Sequence, residues 1–137
     1  MGYYTMFTLN AQDASRDKNG KLVLGELPLI IREDLDAEVD KMGVFEDGNC
    51  VDGWYCSEAK WYDHDEDMIA LSHRFPDVLF TLYGDGEESD DMWYTYYLNG
   101  MSQDAPAQIT YDDFDESKLV SWSNPELFSL DRRYSYE

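Results

Sequence analysis

The sequence predicts an α+β fold: a mainly antiparallel sheet with two helices gathered on one face. Three observations predict it. Apolar residues alternate with period two near the start, at 3–10, and again in VLFTLY (78–83) and MWYTYYL (92–98). Between these runs the period changes twice to that of a helix. The resulting order is strand, helix, strand, helix, strand, strand, strand. A chain of 137 residues with 43% apolar residues has room for one core, so residues 1–137 are read as a single acidic domain.

The first strand is YYTMFTLN, with Tyr3, Thr5, Phe7 and Leu9 on one side and Tyr4, Met6, Thr8 and Asn10 on the other. A polar stretch follows, with a turn at Asn19-Gly20. Ile31, Leu35, Val39 and Met42 then step along one helical face, and Gly43 stands where a C-terminal cap belongs. EDGNCVDG (46–53) reads as a loop and residues 58–62, holding Trp61, as a short strand. The second helix starts near Asp63 or Asp65, with Glu66 and Asp67 suiting the positive end of its dipole. Its inner face holds Met68, Leu71, Ser72 and Phe75, and Pro76 ends it. The strands at 78–83 and 92–98 follow, joined by an acidic turn in which Gly84 and Gly86 supply positive φ. Asn99-Gly100 makes a tight turn, and a further strand near 107–111 completes a meander. The tail 112–137 carries short apolar pieces, 119–122 and 125–130, expected to pack on the domain. Trp61, Leu71, Phe75, Phe80 and Leu82 are the expected centre of the core.

Charge is the dominant feature. Thirty acidic residues against ten basic ones give a net charge of −20. Such a surface repels the nucleic-acid backbone and anionic membranes, and attracts basic surfaces, including those of proteins that bind nucleic acid. From residue 75 to 117 there are eleven acidic residues and no Lys or Arg. No apolar run is long enough to span a membrane. The N-terminus lacks a secretory signal pattern, so a cytoplasmic location is expected.

Sites for chemistry are sparse. Residues 15–26, SRDKNGKLVLGE, fit a calcium loop at Asp17, Asn19, Gly20, Leu22 and Glu26, but Ser15 replaces the leading carboxylate. A polar hairpin is the expectation there. Cys50 and Cys56 match no common zinc spacing, and His64 and His73 do not share a helical face. No nucleophile elbow or phosphate loop is present. No metal, no cofactor and no catalytic residue is expected. The aromatic strand around Trp93 must bury one face, which leaves either Trp93 and Tyr97 or Tyr94 and Tyr96 on the other.

From Trp61 to Gly100 the chain carries a distinctive block. An acidic helix start is followed by Leu71-Ser72, Phe75-Pro76-Asp77, Phe80-x-Leu82, Gly84-x-Gly86-Glu87-Glu88, Asp91-x-Trp93, Tyr97 and Asn99-Gly100. With the opening Tyr3-Tyr4-Thr5, this resembles a block found in small proteins of phages, prophages and plasmids. Some of these are grouped with plasmid YubB-type proteins. The resemblance implies a ferredoxin-like two-layer sandwich, a mobile-element origin and residence in a bacterial host cytoplasm.

The leading functional expectation is a non-enzymatic acidic protein that covers a basic, nucleic-acid-binding surface of a host protein. It would then act as a DNA mimic against restriction or CRISPR defence. Glu87, Glu88, Asp90 and Asp91 are the first candidates for partner binding, and Asp65, Glu66 and Asp67 the second. The alternative is an accessory interaction module that uses an aromatic patch at Trp93 and Tyr97. Neither reading involves direct nucleic-acid or membrane binding.

Overall fold

The alternation around Phe7 and Leu9 extends further than the sequence suggests, because this strand lies at the centre of the sheet and is paired on both sides. The computed structural model describes residues 3–121. Within them the strands are β1 (Thr5–Arg16), β2 (Leu22–Gly25), β3 (Asp47–Asn49), β4 (Gly53–Ala59), β5 (Val78–Gly86), β6 (Met92–Leu98) and β7 (Met101–Pro106). The helices are α1 (Leu29–Met42) and α2 (His64–Arg74), and a 3-10 turn covers Glu116–Lys118. The sheet order is β3-β4-β1-β5-β6-β7, with β2 paired to the far end of β1. Every pairing is antiparallel. The α+β class with an antiparallel sheet is therefore correct. The sheet has seven strands, more than the four of a simple β-α-β-β-α-β unit.

Register puts one residue from each neighbouring strand into the same row. Phe7 lies opposite Cys56 and Gly84, and Gly84 opposite Trp93; Leu9 lies opposite Trp54 and Leu82; Phe80 lies opposite Tyr97. Apart from Gly84 and Trp93, which packs half-buried against it, these residues share one buried cluster with Leu35 and Val39 of α1 and Met68 and Leu71 of α2. Trp61, Leu71, Phe80 and Leu82 are in that cluster as expected, and Phe75 packs half-buried against it. The buried Ser72 hydroxyl is well used. Ser72 donates to the Ile69 carbonyl (2.9 Å) and accepts from the Gly100 N–H (2.8 Å), tying α2 to the β6–β7 turn. That turn has φ 47° at Asn99 and 78° at Gly100, the two positive values of a type I′ hairpin.

Several expectations are corrected. Residues 46–53 are not a plain loop, since β3 and the start of β4 lie there. Asn49 Oδ1 accepts from the N–H groups of Val51 and Asp52 (both 2.9 Å), which nucleates that hairpin. Residues 58–62 are the end of β4 and a connection, and Trp61 stands just outside the strand. The last strand is Met101–Pro106, not 107–111, because a two-residue turn pairs Met101 directly with Leu98. Gly84 and Gly86 lie inside β5 and do not have positive φ. In the tail, Tyr111, Phe114, Leu119 and Val120 are exposed, so residues 112–121 do not pack as expected. The apolar piece 125–130 and the rest of 122–137 lie outside the described residues.

Candidate functional site

The acidic turn after β5 and the start of α2 meet at one end of the molecule, and the opening segment of the chain joins them. Tyr3 is the link. Its hydroxyl donates to Asp91 Oδ2 (2.7 Å) and accepts from the Glu88 N–H (3.1 Å), while its own N–H donates to the Tyr62 hydroxyl (2.8 Å). Next to it, the Tyr4 N–H donates to Glu87 Oε1 (2.6 Å). The Asp91 carboxylate beside it holds the Tyr3 phenol above its ordinary value. The turn closes on itself through Gly86 N–H to the Asp91 carbonyl (2.8 Å).

The α2 side is joined to this turn by stacked rings. His64 stacks on Trp93 at 5.1 Å between centroids, and Phe7 meets both Trp61 and Trp93 edge-on. His64 Nδ1 is buried without a hydrogen bond among the described residues and lies 3.6 Å from Asp65 Oδ1, beyond hydrogen-bonding range. Together Tyr3, Trp61, Tyr62, His64, Asp91 and Trp93 border a cleft of about 190 Å³.

This geometry explains the two glycines. A Cβ on Gly84 would overlap the Trp93 indole, and one on Gly86 would overlap the Asp91 carboxylate and the Tyr3 hydroxyl. Both are required by the close approach of a neighbour rather than by backbone conformation.

The structure brings the two predicted acidic groups to the same end, but divides them by role. Asp67 Oδ2 accepts from the Trp61 indole N–H (2.7 Å), and Asp65 Oδ1 accepts from the Tyr97 hydroxyl (2.5 Å). With Glu87 and Asp91, these carboxylates hold the fold. Glu66, Glu88 and Asp90 are exposed, and among the described residues their carboxylates have no hydrogen-bonding or ion-pair partner. Across the described residues, Lys and Arg form ion pairs only with Glu38 and Asp112. Most of the negative charge is therefore presented to solvent.

Tyr97 needs correction as a member of an exposed patch. It is fully buried opposite Phe80, and burial together with the Asp65 hydrogen bond raises its phenol pKa strongly. Trp93 is half-buried on the same face. On β5 and β6 the aromatic residues of the open face are Tyr94, which is exposed, and Tyr83 and Tyr96, which are partly so. Their rings form a row, at 5.4 Å from Tyr83 to Tyr94 and 6.3 Å from Tyr94 to Tyr96. Near its end Leu22, Leu79, Leu98 and Met101 border a shallow cleft of about 360 Å³.

Residues 15–26 form a hairpin, with Asp17 Oδ1 accepting from the N–H groups of Asn19 and Lys21 (both 2.9 Å). Among the described residues no group of three or more His, Cys, Asp or Glu is arranged to hold a metal ion. Nor is any helix there long and apolar enough to cross a membrane. Two larger clefts, about 420 Å³ each, lie elsewhere; one is bordered by Asp36, Asp40, Glu46 and Asp47 and adds to the acidic surface. Tyr3, Tyr62, His64, Gly84 and Gly86 have structural roles here that the sequence did not reveal. The signal available was the Tyr3-Tyr4 pair ahead of an alternating strand, which marks an aromatic start but not its partner. No protein-family model, no curated protein and no solved structure matches the chain.

Proposed function

We propose that the chain is a non-enzymatic acidic binding protein that covers a basic, nucleic-acid-binding surface of a host protein. On this reading it comes from a phage or another mobile element and acts in the cytoplasm of a bacterial host as a DNA mimic against restriction or CRISPR defence. The carrying observation is the union of two acidic segments at one end of the domain. There Glu66, Glu88 and Asp90 are exposed and unpaired among the described residues, on a chain of net charge −20. Many carboxylates held together on a helix start and on the turn between two paired strands reproduce what a phosphate backbone offers to Lys and Arg. Rigidity comes from Tyr3 and from the β5–β6 pairing.

A ferredoxin-like core also belongs to this reading. The subset β3-β4-β1-β5 with α1 and α2 follows a β-α-β-β-α-β path once the β2 hairpin is set aside. The β6–β7 hairpin is then an extension at the β5 edge. That path supports the resemblance to the phage and plasmid proteins.

A second reading, an accessory interaction module without mimicry, is favoured by the open-face row of Tyr83, Tyr94 and Tyr96. Rigid amphipathic tyrosines are common interface anchors. Affinity capture from a bacterial lysate, with added duplex DNA as competitor, separates the two. The mimic releases its partner to DNA and to salt. The tyrosine module holds its partner in both and loses it on Tyr94→Ala.

A further inference from the structure

We propose that the cleft between the acidic turn and the start of α2 is a receptor for one guanidinium group, the side chain of an arginine on the basic partner. The proposal rests on the reading that the partner is basic and names how the first contact is anchored. The cleft holds about 190 Å³, and a dry cavity of about 150 Å³ is already enough for benzene. A flat guanidinium fits that space. Its border is aromatic, with Tyr3, Trp61, Tyr62 and Trp93 around it and the His64 imidazole stacked on Trp93. Aromatic rings attract cations electrostatically, and guanidinium more readily than ammonium, because it is flat and weakly hydrated.

The charge needed to select a cation is in the wall. Asp91 borders the cleft, and among the described residues only its Oδ2 is engaged, by the Tyr3 hydroxyl. Glu88 and Asp90 rise from the same turn. Lys60, the nearby cation of this chain, sits instead over the Tyr4 ring at 4.8 Å, so it does not neutralise the Asp91 carboxylate by any ion pair among the described residues. The Trp61 indole N–H is satisfied by Asp67 (2.7 Å), so Asp91 is the carboxylate of the lining that meets an incoming N–H, with Thr5 and His64 as further polar neighbours.

The test titrates the intact protein with small cations and follows tryptophan fluorescence and the indole N–H resonances, at constant ionic strength. The probes are methylguanidinium, methylammonium, acetyl-arginine methylamide and sodium. Expected is saturable binding of methylguanidinium in the millimolar range, at least about fivefold tighter than methylammonium. Acetyl-arginine methylamide binds at least as well, as a protein side chain must. Asp91→Asn and the more exposed Tyr62→Ala each weaken binding by about fivefold or more, with circular dichroism confirming that both variants fold. A response no different from sodium would overturn the proposal, as would a folded Asp91→Asn that binds unchanged. Exclusion of the capped arginine would also overturn it, by pointing to a free guanidino compound as ligand. Loss of the cleft in this test leaves salt-sensitive partner capture untouched, and failure of capture leaves the cation titration untouched, so the two readings fail separately.

Discussion

Gly84→Ala is the substitution that probes the built end of the domain most sharply. Gly84 lies between Phe7 and Trp93 in the row of β1, β5 and β6. An added Cβ overlaps the Trp93 indole, which is itself held between Phe7 and His64. Forcing a methyl into such packing costs about 1–3 kcal/mol. The backbone at Gly84 is not in the positive-φ region, so alanine also removes unfolded-chain entropy and returns about 0.4–1 kcal/mol. The net loss is then about 0–2.6 kcal/mol, or a fall in Tm of up to about 10 °C for a domain of this size. Gly25→Ala is the internal control. Gly25 ends β2, and a Cβ placed there would meet nothing within 4 Å, so the entropy gain of about 0.4–1 kcal/mol stands alone and stabilises. Urea denaturation and tryptophan emission read both variants. If Gly84→Ala proves as stable as Gly25→Ala and keeps the wild-type emission, the indole is not packed against that strand and the account of the cleft is wrong.

Three further outcomes follow from the same geometry. Tyr97 has a phenol raised above its ordinary value of 10.0 by burial and by the Asp65 carboxylate. Above pH 10 the unfolded chain therefore ionises it first, so the contribution of Tyr97 to stability is constant below that pH and falls above it. Phenolate absorbance should leave Tyr97 silent until the alkaline unfolding transition, and a fully reversible titration of all eleven tyrosines in the folded state would contradict this. Ser72→Ala removes the acceptor of the Gly100 N–H and should cost about 1 kcal/mol in urea denaturation; no change would mean that the turn is held by other contacts. Cys50 and Cys56 are buried free thiols whose pKa values are raised by burial. They should resist Ellman's reagent in the folded protein and react on unfolding, whereas rapid labelling without denaturant would show that they are accessible.

The parts of the fold legible in the sequence are those with long, regular periodicity. Leu35 and Val39, and Met68 and Leu71, mark their helix faces directly, and residues 92–98 match β6 at both ends. Polar strands escaped. The β3–β4 hairpin begins in EDGNCVDG, where the inward pair Trp54 and Cys56 follows a run of turn residues that masks the alternation. The β7 strand MSQDAP is an exposed edge with no core face of its own, and its register comes from the Asn99-Gly100 turn. At the candidate site, charge was legible but role was not. Nothing local distinguishes Asp91 from Asp90, because what separates them is the hydroxyl of Tyr3, 88 residues away in the chain. Gly84 and Gly86 look like turn glycines for a related reason: what crowds them is Trp93 of β6 for Gly84, and Asp91 of the turn with the Tyr3 hydroxyl for Gly86.

The central claim is that exposed carboxylates at this end capture a basic partner. Its most direct test is the association rate of the captured partner, measured by stopped flow for wild type and for Glu88→Lys/Asp90→Lys. These two side chains have no partner to lose among the described residues, so the fold is expected to survive the reversal. The account predicts an association rate that falls steeply between about 50 and 200 mM salt. The double reversal should slow association by about tenfold or more, with a much smaller change in dissociation. An association rate indifferent both to salt and to the reversal would contradict it.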